Sequence, residues 1–436
     1  MSLPDELWGR FGGLTVEQLP DDVLTLAKQC ILDWYGCAVA GSREPLSAIL
    51  REELGSIHGP CAILGVDHTT GVLQAALLNG AAGHALDFDD THTTMSGHPT
   101  APLFPAALAS AQLLESSGAD LLAAFVVGFE IECRLGRAIG PAHYAKGWHQ
   151  TSTIGIFGAT AAVSRLLRLG SVEFGHAIGL AASQSSGLKA NFGTMTKPFH
   201  AGHAAERGTL SARLASRGFT SNPDALDGNQ GLAQAAGSGE LRWSGDMATP
   251  DDWLIRRNLF KYHAACYLTH AAMEATATAL AGEPGAVGHV TITVNPSILD
   301  VCGIPRPRTG LEAKFSLAAT TAFTVLGLDT TDPATFSDES LDDDELQRHI
   351  GRVTVETDSK LATMQAAVMV STAAGPRTAT HDSGVPATDL EAQGRKLLTK
   401  FHGLARPVVD AKAAAQIASR IDDLERLTSA RELTAP

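Results

Sequence analysis

The sequence predicts a mainly α-helical fold, a large helical domain interrupted by a smaller α+β segment, on three observations. Apolar residues recur at helical spacing through residues 1–260 and again after Thr388, whereas alternating β-branched residues are confined to the stretch between. Alanine and glycine dominate the apolar content, and aromatic residues make up only 6% of the 436. Side chains that small let helices pack closely around one another.

The first confident helix covers Asp21 to Ala40: Val23, Leu26, Ala27, Cys30, Ile31 and Trp34 share one face, Pro20 precedes it and Gly41 stops it. The same spacing predicts helices at Val72–Gly83, Phe104–Glu115, Asp120–Ile139, Ile154–Leu169, Ser171–Ser185 and Ala201–Ser216, so residues 1–260 read as all-helical. In Ile154–Leu169 the residues Gly155, Gly158, Ala159, Ala161 and Ala162 leave little bulk, which places that helix at the centre of the bundle. The pattern changes near residue 285. His289–Asn295 and Arg352–Asp358 alternate apolar with polar residues and read as strands, with a helix over Gly310–Leu328 between them. Asp342-Asp-Asp-Glu345 suits the first turn of a helix, where acidic groups meet unpaired N–H groups. Gln365–Thr372 and Arg377–Asp382 flank Ala373-Ala-Gly-Pro376 and read as a hairpin. Leu390, Leu397, Leu398 and Phe401, then Ala411–Leu427, return to helical spacing, so the terminal helices should rejoin the first domain.

A formal charge of −14, from 33 basic against 47 acidic residues, and the lack of a basic cluster argue against nucleic-acid or anionic-membrane partners. The six cysteines form no CxxC pair and read as reduced core residues. Met1-Ser-Leu-Pro-Asp-Glu lacks the basic and apolar regions of a leader, and no apolar run reaches membrane-spanning length. A cytoplasmic location is the expectation.

Chemistry concentrates at His84-Ala-Leu-Asp-Phe-Asp-Asp-Thr-His92 and Gly97-His98-Pro99-Thr100, a polar stretch between apolar helices. Buried ionisable groups are costly unless paired, so such a density signals a site. His98 precedes Pro99, Lys197 precedes Pro198, and His149 lies just before Thr151-Ser152, each at a predicted helix start. Proline should hold its predecessor extended and the hydroxyls should cap free N–H groups, leaving three basic side chains at helix ends that favour anions. Converging, these ends would hold a small molecule with several carboxylates. HExxH, CxxC and EF-hand spacings are absent, so no metal is expected among Asp87, Asp89, Asp90, His92 and His98. No GxSxG, P-loop or GxGxxG fingerprint appears, which leaves acid/base chemistry on a carbon acid.

At these motifs the sequence resembles the MmgE/PrpD family of 2-methylcitrate dehydratases, cis-aconitate decarboxylases and iminodisuccinate epimerases. The resemblance rests on His84 to Thr91 with Gly97-His98-Pro99, on Gly147-Trp-His149 with Thr151-Ser-Thr-Ile-Gly155, and on Phe192-Gly-Thr-Met-Thr-Lys197-Pro198. Lys261 with Cys266 and His270, and Ala313-Lys-Phe-Ser316, extend it into the second half. It implies a helical domain over 1–265 and 388–436, an α+β lid over 266–387, a homodimer, and a cofactor-free site between the domains. By motif position it assigns site roles to Asp87, Thr91, His98, His149, Lys197 and Lys261. Two positions depart from the family pattern: Lys261-Tyr-His-Ala264 replaces Lys-Pro-Tyr-Pro, and Ala319 stands where a tyrosine often occurs, with Tyr262 or His263 as possible substitutes.

Lys197 and Lys261 would then bind substrate carboxylates, Asp87 and His98 would supply the base or its orienting partner, His149 the opposing acid, and Thr91 a hydrogen bond. Asp89, Asp90 and His92 would hold the wall. The expected activity is that of a 2-methylcitrate dehydratase-like lyase acting on a di- or tricarboxylate. An epimerase, a decarboxylase and, in a second class, a non-catalytic carboxylate binder are the alternatives.

Overall fold

Helix Asp21–Gly41 buries the face its spacing predicts, from Val23 to Trp34, and so founds the main core together with Phe104, Phe125 and Phe129. A computed structural model describes residues 3–237, 239, 241, 252–280 and 287–434; the change of pattern near residue 285 lies outside them. The fold is mainly α with a smaller α+β region. Helix Gly155–Leu166 packs against Gly118–Ile139, Thr100–Leu114 and Thr196–Ala215, at the centre where its small residues placed it.

Helices Val72–His84 and Thr196–Ala215 meet along their length, and the contact depends on two glycines. A Cβ on Gly80 would lie 2.8 Å from the Gly202 Cα, and one on Gly202 would lie 2.3 Å from the Leu77 carbonyl oxygen. This backbone seam sets His84, at the end of one helix, level with Lys197, at the start of the other.

Several boundaries differ from the sequence expectation. Helix Thr100–Leu114 begins before Phe104, because Pro102 falls in the first turn, where no N–H is needed, and only Pro105 forfeits a bond. Helix Thr196–Ala215 likewise begins before Ala201, so Lys197 lies inside its first turn and is not held extended by Pro198. The predicted helix over Gly310–Leu328 is two helices, Gly310–Ala313 and Leu317–Val325, because the Ser316 hydroxyl accepts the Ala319 N–H and starts the second. The first 260 residues are not wholly helical: Cys61–Ala62 pairs with Thr69–Thr70, and Thr91–His92 pairs antiparallel with Asn258–Leu259. The second pairing ties the segment before Lys261 to the polar stretch.

The α+β region carries a four-stranded sheet in the order Val353–Thr357, Val287–Val294, Gln365–Thr372, Gly375–Asp382. The first pair is parallel and the others antiparallel. Val290, Ile292, Val294, Val368 and Val370 face helix Tyr267–Leu280 through Ala271, Ala272 and Ala275. The acidic run starts helix Asp344–Ile350, with Asp343 as its cap. Helix Leu390–Ala405 packs back on Asp21–Gly41. All six cysteines are free thiols. Among the described residues no helix is long and apolar enough to cross a membrane.

Candidate active site

Helix Val72–His84 ends in a turn in which Asp87 takes a left-handed backbone conformation, φ +51°. That turn aims the Asp87 carboxylate at two buried ammoniums. Lys197 Nζ lies 2.5 Å and Lys261 Nζ 3.0 Å from the same oxygen, Oδ1, and Lys261 also donates to the Asp87 carbonyl at 2.6 Å. Burial would raise the Asp87 carboxyl, but Lys197 and Lys261 outweigh it and hold it well below the usual carboxylate range. Burial also opposes charge on Lys261, and Asp87 overcomes that and raises its pKa.

His98 stands over the same carboxylate, with Nε2 3.7 Å from Asp87 Oδ1. Its Nδ1 donates to the Asp90 carbonyl at 2.7 Å, so that in the neutral ring the lone pair falls on Nε2. Asp89 braces both neighbouring rings, lying 2.9 Å from His84 Nδ1 and 3.3 Å from His98 Nδ1. Burial pushes His84 down to about 4, so it is a neutral ring at physiological pH, and its Nε2 has no hydrogen-bond partner. Asp90 accepts from Thr100 and Asn258, and burial raises it to about 7. His92 Nε2 meets the Leu254 carbonyl.

On the far side His149 faces His200, Nδ1 to Nδ1 at 3.1 Å, so one ring donates and the other accepts. Burial and then Lys197 drive His149 well below its ordinary value. Phe192 packs edge-on against His149, and the Lys197 ammonium lies 5.4 Å from the rings of both Phe192 and Phe315. An ammonium between two aromatic faces is held by cation–π attraction and shielded from water.

The ligand atoms of His84, Asp87, Asp89 and His98 all lie within 4.8 Å of one another, a spacing that could hold a metal ion. The two ammoniums on Asp87 already supply positive charge there, and a divalent cation would be repelled by both. The donors therefore fit a metal poorly.

The MmgE/PrpD N-terminal domain matches residues 11–244 and the MmgE/PrpD C-terminal domain matches residues 263–426. The chain belongs to the MmgE/PrpD family. It is 33% identical to the cis-aconitate decarboxylase of Aspergillus terreus over 227 residues, 50% of this chain and 46% of that protein. It is 35% identical to the Homo sapiens cis-aconitate decarboxylase over 223 residues, 49% and 46% of the two chains. The Mus musculus cis-aconitate decarboxylase is 31% identical over 289 residues, 63% and 58%. The chain thus spans about half the length of the curated relatives it matches.

In this MmgE/PrpD protein, Asp87, His98, Lys197 and Lys261 converge on one oxygen, and His149 adjoins them through His84, at 6.0 Å between ring centroids. Thr91 is engaged elsewhere, its hydroxyl donating to the Gly97 carbonyl at 3.2 Å. Expected hydroxyl caps are absent at the helices after His98 and His149. Instead the Thr151 hydroxyl accepts the His98 N–H at 3.1 Å. Neither proposed substitute for the missing tyrosine reaches the cluster. Tyr262 lines a separate cavity with Tyr267 and Lys396, and both His263 nitrogens are taken by Thr330 and Glu274. Ala319 lies fully buried in an apolar cluster with Leu86 and Phe88.

Other residues near the site were not assigned from sequence. Lys314 sits in a motif noted above and His200 just beyond one, whereas Tyr144 and the Cys266–Cys302 thiol pair reveal themselves only in three dimensions. Burial raises the Tyr144 hydroxyl, and Asp87 is among the charges it feels. Cys266 hydrogen-bonds with Cys302, which lowers its pKa.

Proposed function

We propose that the protein is a cofactor-independent acid/base enzyme that moves a proton at a carbon beside a carboxylate of a small di- or tricarboxylate. The observation that carries the reading is the convergence of Lys197, Lys261 and His98 Nε2 on Asp87 Oδ1. Asp87 is too strongly stabilised as an anion to be the base; it orients the two ammoniums. His98 Nε2 is the base that takes the proton, becoming an imidazolium. If His200 keeps its proton on Nδ1, His149 accepts there and carries a proton on Nε2, which makes it the opposing acid. Lys197 and Lys261 offset the charge that builds on the substrate carboxylate as the proton leaves, an electrostatic contribution that is typically large in a dry site. Thr91 serves as a support through Gly97.

Decarboxylation uses the same groups in the other direction. The C–C bond to a carboxylate breaks, CO₂ leaves, and the electron pair left on carbon takes a proton from imidazolium or the His149 N–H. The curated relatives carry the name of this reaction, so cis-aconitate is the first substrate to test. Dehydration, the first expectation from sequence, gains no support from them, and epimerisation gains none either. The α+β unit, residues 266–387, is proposed as a lid on the helical domain of 1–265 and 388–436, in a homodimer in the cytoplasm. Ala319 is the one feature favouring a non-catalytic carboxylate binder.

The test is CO₂ release from cis-aconitate, with α-proton exchange of 2-methylcitrate, citrate and succinate derivatives in D₂O followed by NMR. An enzyme of this class releases CO₂ or exchanges at least one α-proton. Binding of these acids with neither outcome would leave the binder as the answer.

A further inference from the structure

Three lysines from distant parts of the chain donate to three consecutive backbone carbonyls around Asp87. Lys314 Nζ reaches the Leu86 oxygen at 3.0 Å, Lys261 the Asp87 oxygen at 2.6 Å, and Lys400 the Phe88 oxygen at 2.6 Å. Lys400 is anchored from behind by Asp33 at 2.6 Å and by the Lys261 carbonyl at 2.9 Å. The turn they grip contains a non-glycine residue at positive φ, a conformation that persists only where its surroundings enforce it.

Lys314 differs from the other two. It caps helix Gly310–Ala313 in the α+β region, whereas the turn belongs to the helical body. It is 5% exposed, has no carboxylate at ion-pair distance among the described residues, and donates to one carbonyl alone. Burial lowers its pKa to about 8. Besides that carbonyl its ammonium has the Phe336 ring at 6.0 Å and the more distant Asp87 charge. A position that needed only packing would be better served by an apolar side chain of that length, because a buried ammonium without a paired carboxylate is costly. The next residue, Phe315, lies against the Lys197 ammonium, so two adjacent residues of the α+β region touch both sides of the Asp87 pair.

We infer that Lys314 is a positioning residue which, by holding the Leu86 carbonyl from the α+β unit, fixes the turn that aims Asp87, so that the site is complete only when that unit is seated. The inference rests on the reading of Asp87 as part of the active site. The expected signature is local, falling on residues 86–91, because the remaining grips on the turn come from the helical body.

The experiment compares hydrogen–deuterium exchange of the full chain with that of Lys314→Met and Lys314→Arg. In Lys314→Met, amides of Leu86 to Thr91 should exchange about tenfold faster or more, the loss of one charged hydrogen bond, while those of helix Gly155–Leu166 stay unchanged. Lys314→Arg should restore most of the protection. For any acid the wild type turns over, kcat should fall about tenfold in Lys314→Met with KM little changed, as expected for misaligned groups. Unaltered exchange over 86–91, a uniform rise along the chain, or failure of both variants to fold would overturn the inference. Should the wild type turn over no acid, the functional proposal fails separately and the exchange data still decide this one.

Discussion

Replacing Asp87 by Asn removes the charge shared by Lys197 and Lys261 while keeping the size of the side chain. Lys261 is 1% exposed and Lys197 5% exposed, so both ammoniums would remain in the interior with a dipole in place of an anion. Removing one partner of a buried pair costs about 3–5 kcal/mol, mainly the penalty of the charge left behind. With a urea slope of about 3 kcal/mol per molar, the midpoint at pH 7 should fall by about 1 M or more. The pH dependence gives a sharper check. In the wild type the raised pKa of Lys261 contributes stability that is present below its unfolded value and is lost as pH rises through the folded value. Asp87, held low, contributes stability present above about pH 4 and lost only as pH falls through its folded value. In the variant Lys261 loses the largest charge opposing burial, so its pKa falls from the wild-type value and the folded state is relieved as pH rises. Urea melts at several pH values should therefore show the deficit largest near neutrality, smaller toward pH 9.5 and smaller again in strong acid. A deficit that widens with rising pH, or no deficit at all, would refute the assignment of Asp87 as the shared counterion.

His98→Gln should lower kcat by about 10²–10⁴-fold with the fold intact by circular dichroism, as removal of a proton-transfer group does; turnover at the wild-type rate would remove His98 from the mechanism. Activity should survive exhaustive chelation, since two ammoniums supply the positive charge at Asp87; loss restored by a divalent ion would instead assign a metal to His84, Asp87, Asp89 and His98. Gly202→Ala should cost about 1–3 kcal/mol of stability, because its Cβ would press on the Leu77 carbonyl and force the helices apart. His84 and His92, each pushed by burial to about 4, prefer the neutral form when folded. Their contribution is complete above pH 6.5 and is lost as pH falls toward 4, so NMR of labelled imidazoles should find both rings neutral at pH 6.

Asp87, His98 and Lys197 were legible because each sits in a dense polar motif between apolar helices, whereas Lys261 was reached only through the resemblance. Periodicity alone gave helix Asp21–Gly41 to within a residue, since its apolar stripe has one interpretation. The break at Lys314–Ser316 was not legible: the apolar spacing runs on through it, and the competing Ser316 cap is a local choice that periodicity does not weigh. The grip on Leu86, Asp87 and Phe88 left no trace in the side-chain pattern, because its acceptors are backbone carbonyls that every residue possesses. Lys400 and Asp33 offered little more, as each lies singly in a helix otherwise read for its apolar face. For Thr91, expected from its motif to face the chemistry, the structure shows the hydroxyl donating to the Gly97 carbonyl of its own turn, a local bond that the motif does not announce.

The glycine seam between helices Val72–His84 and Thr196–Ala215 bears on how such a site could be retargeted. No side chain can be inserted where Gly80 meets Gly202 without displacing the backbones that carry His84 and Lys197. That floor admits almost no variation in sequence. Changes of substrate preference, in nature or by directed evolution, should therefore fall away from this seam, at partly exposed positions such as Phe192, whose ring flanks His149 and Lys197.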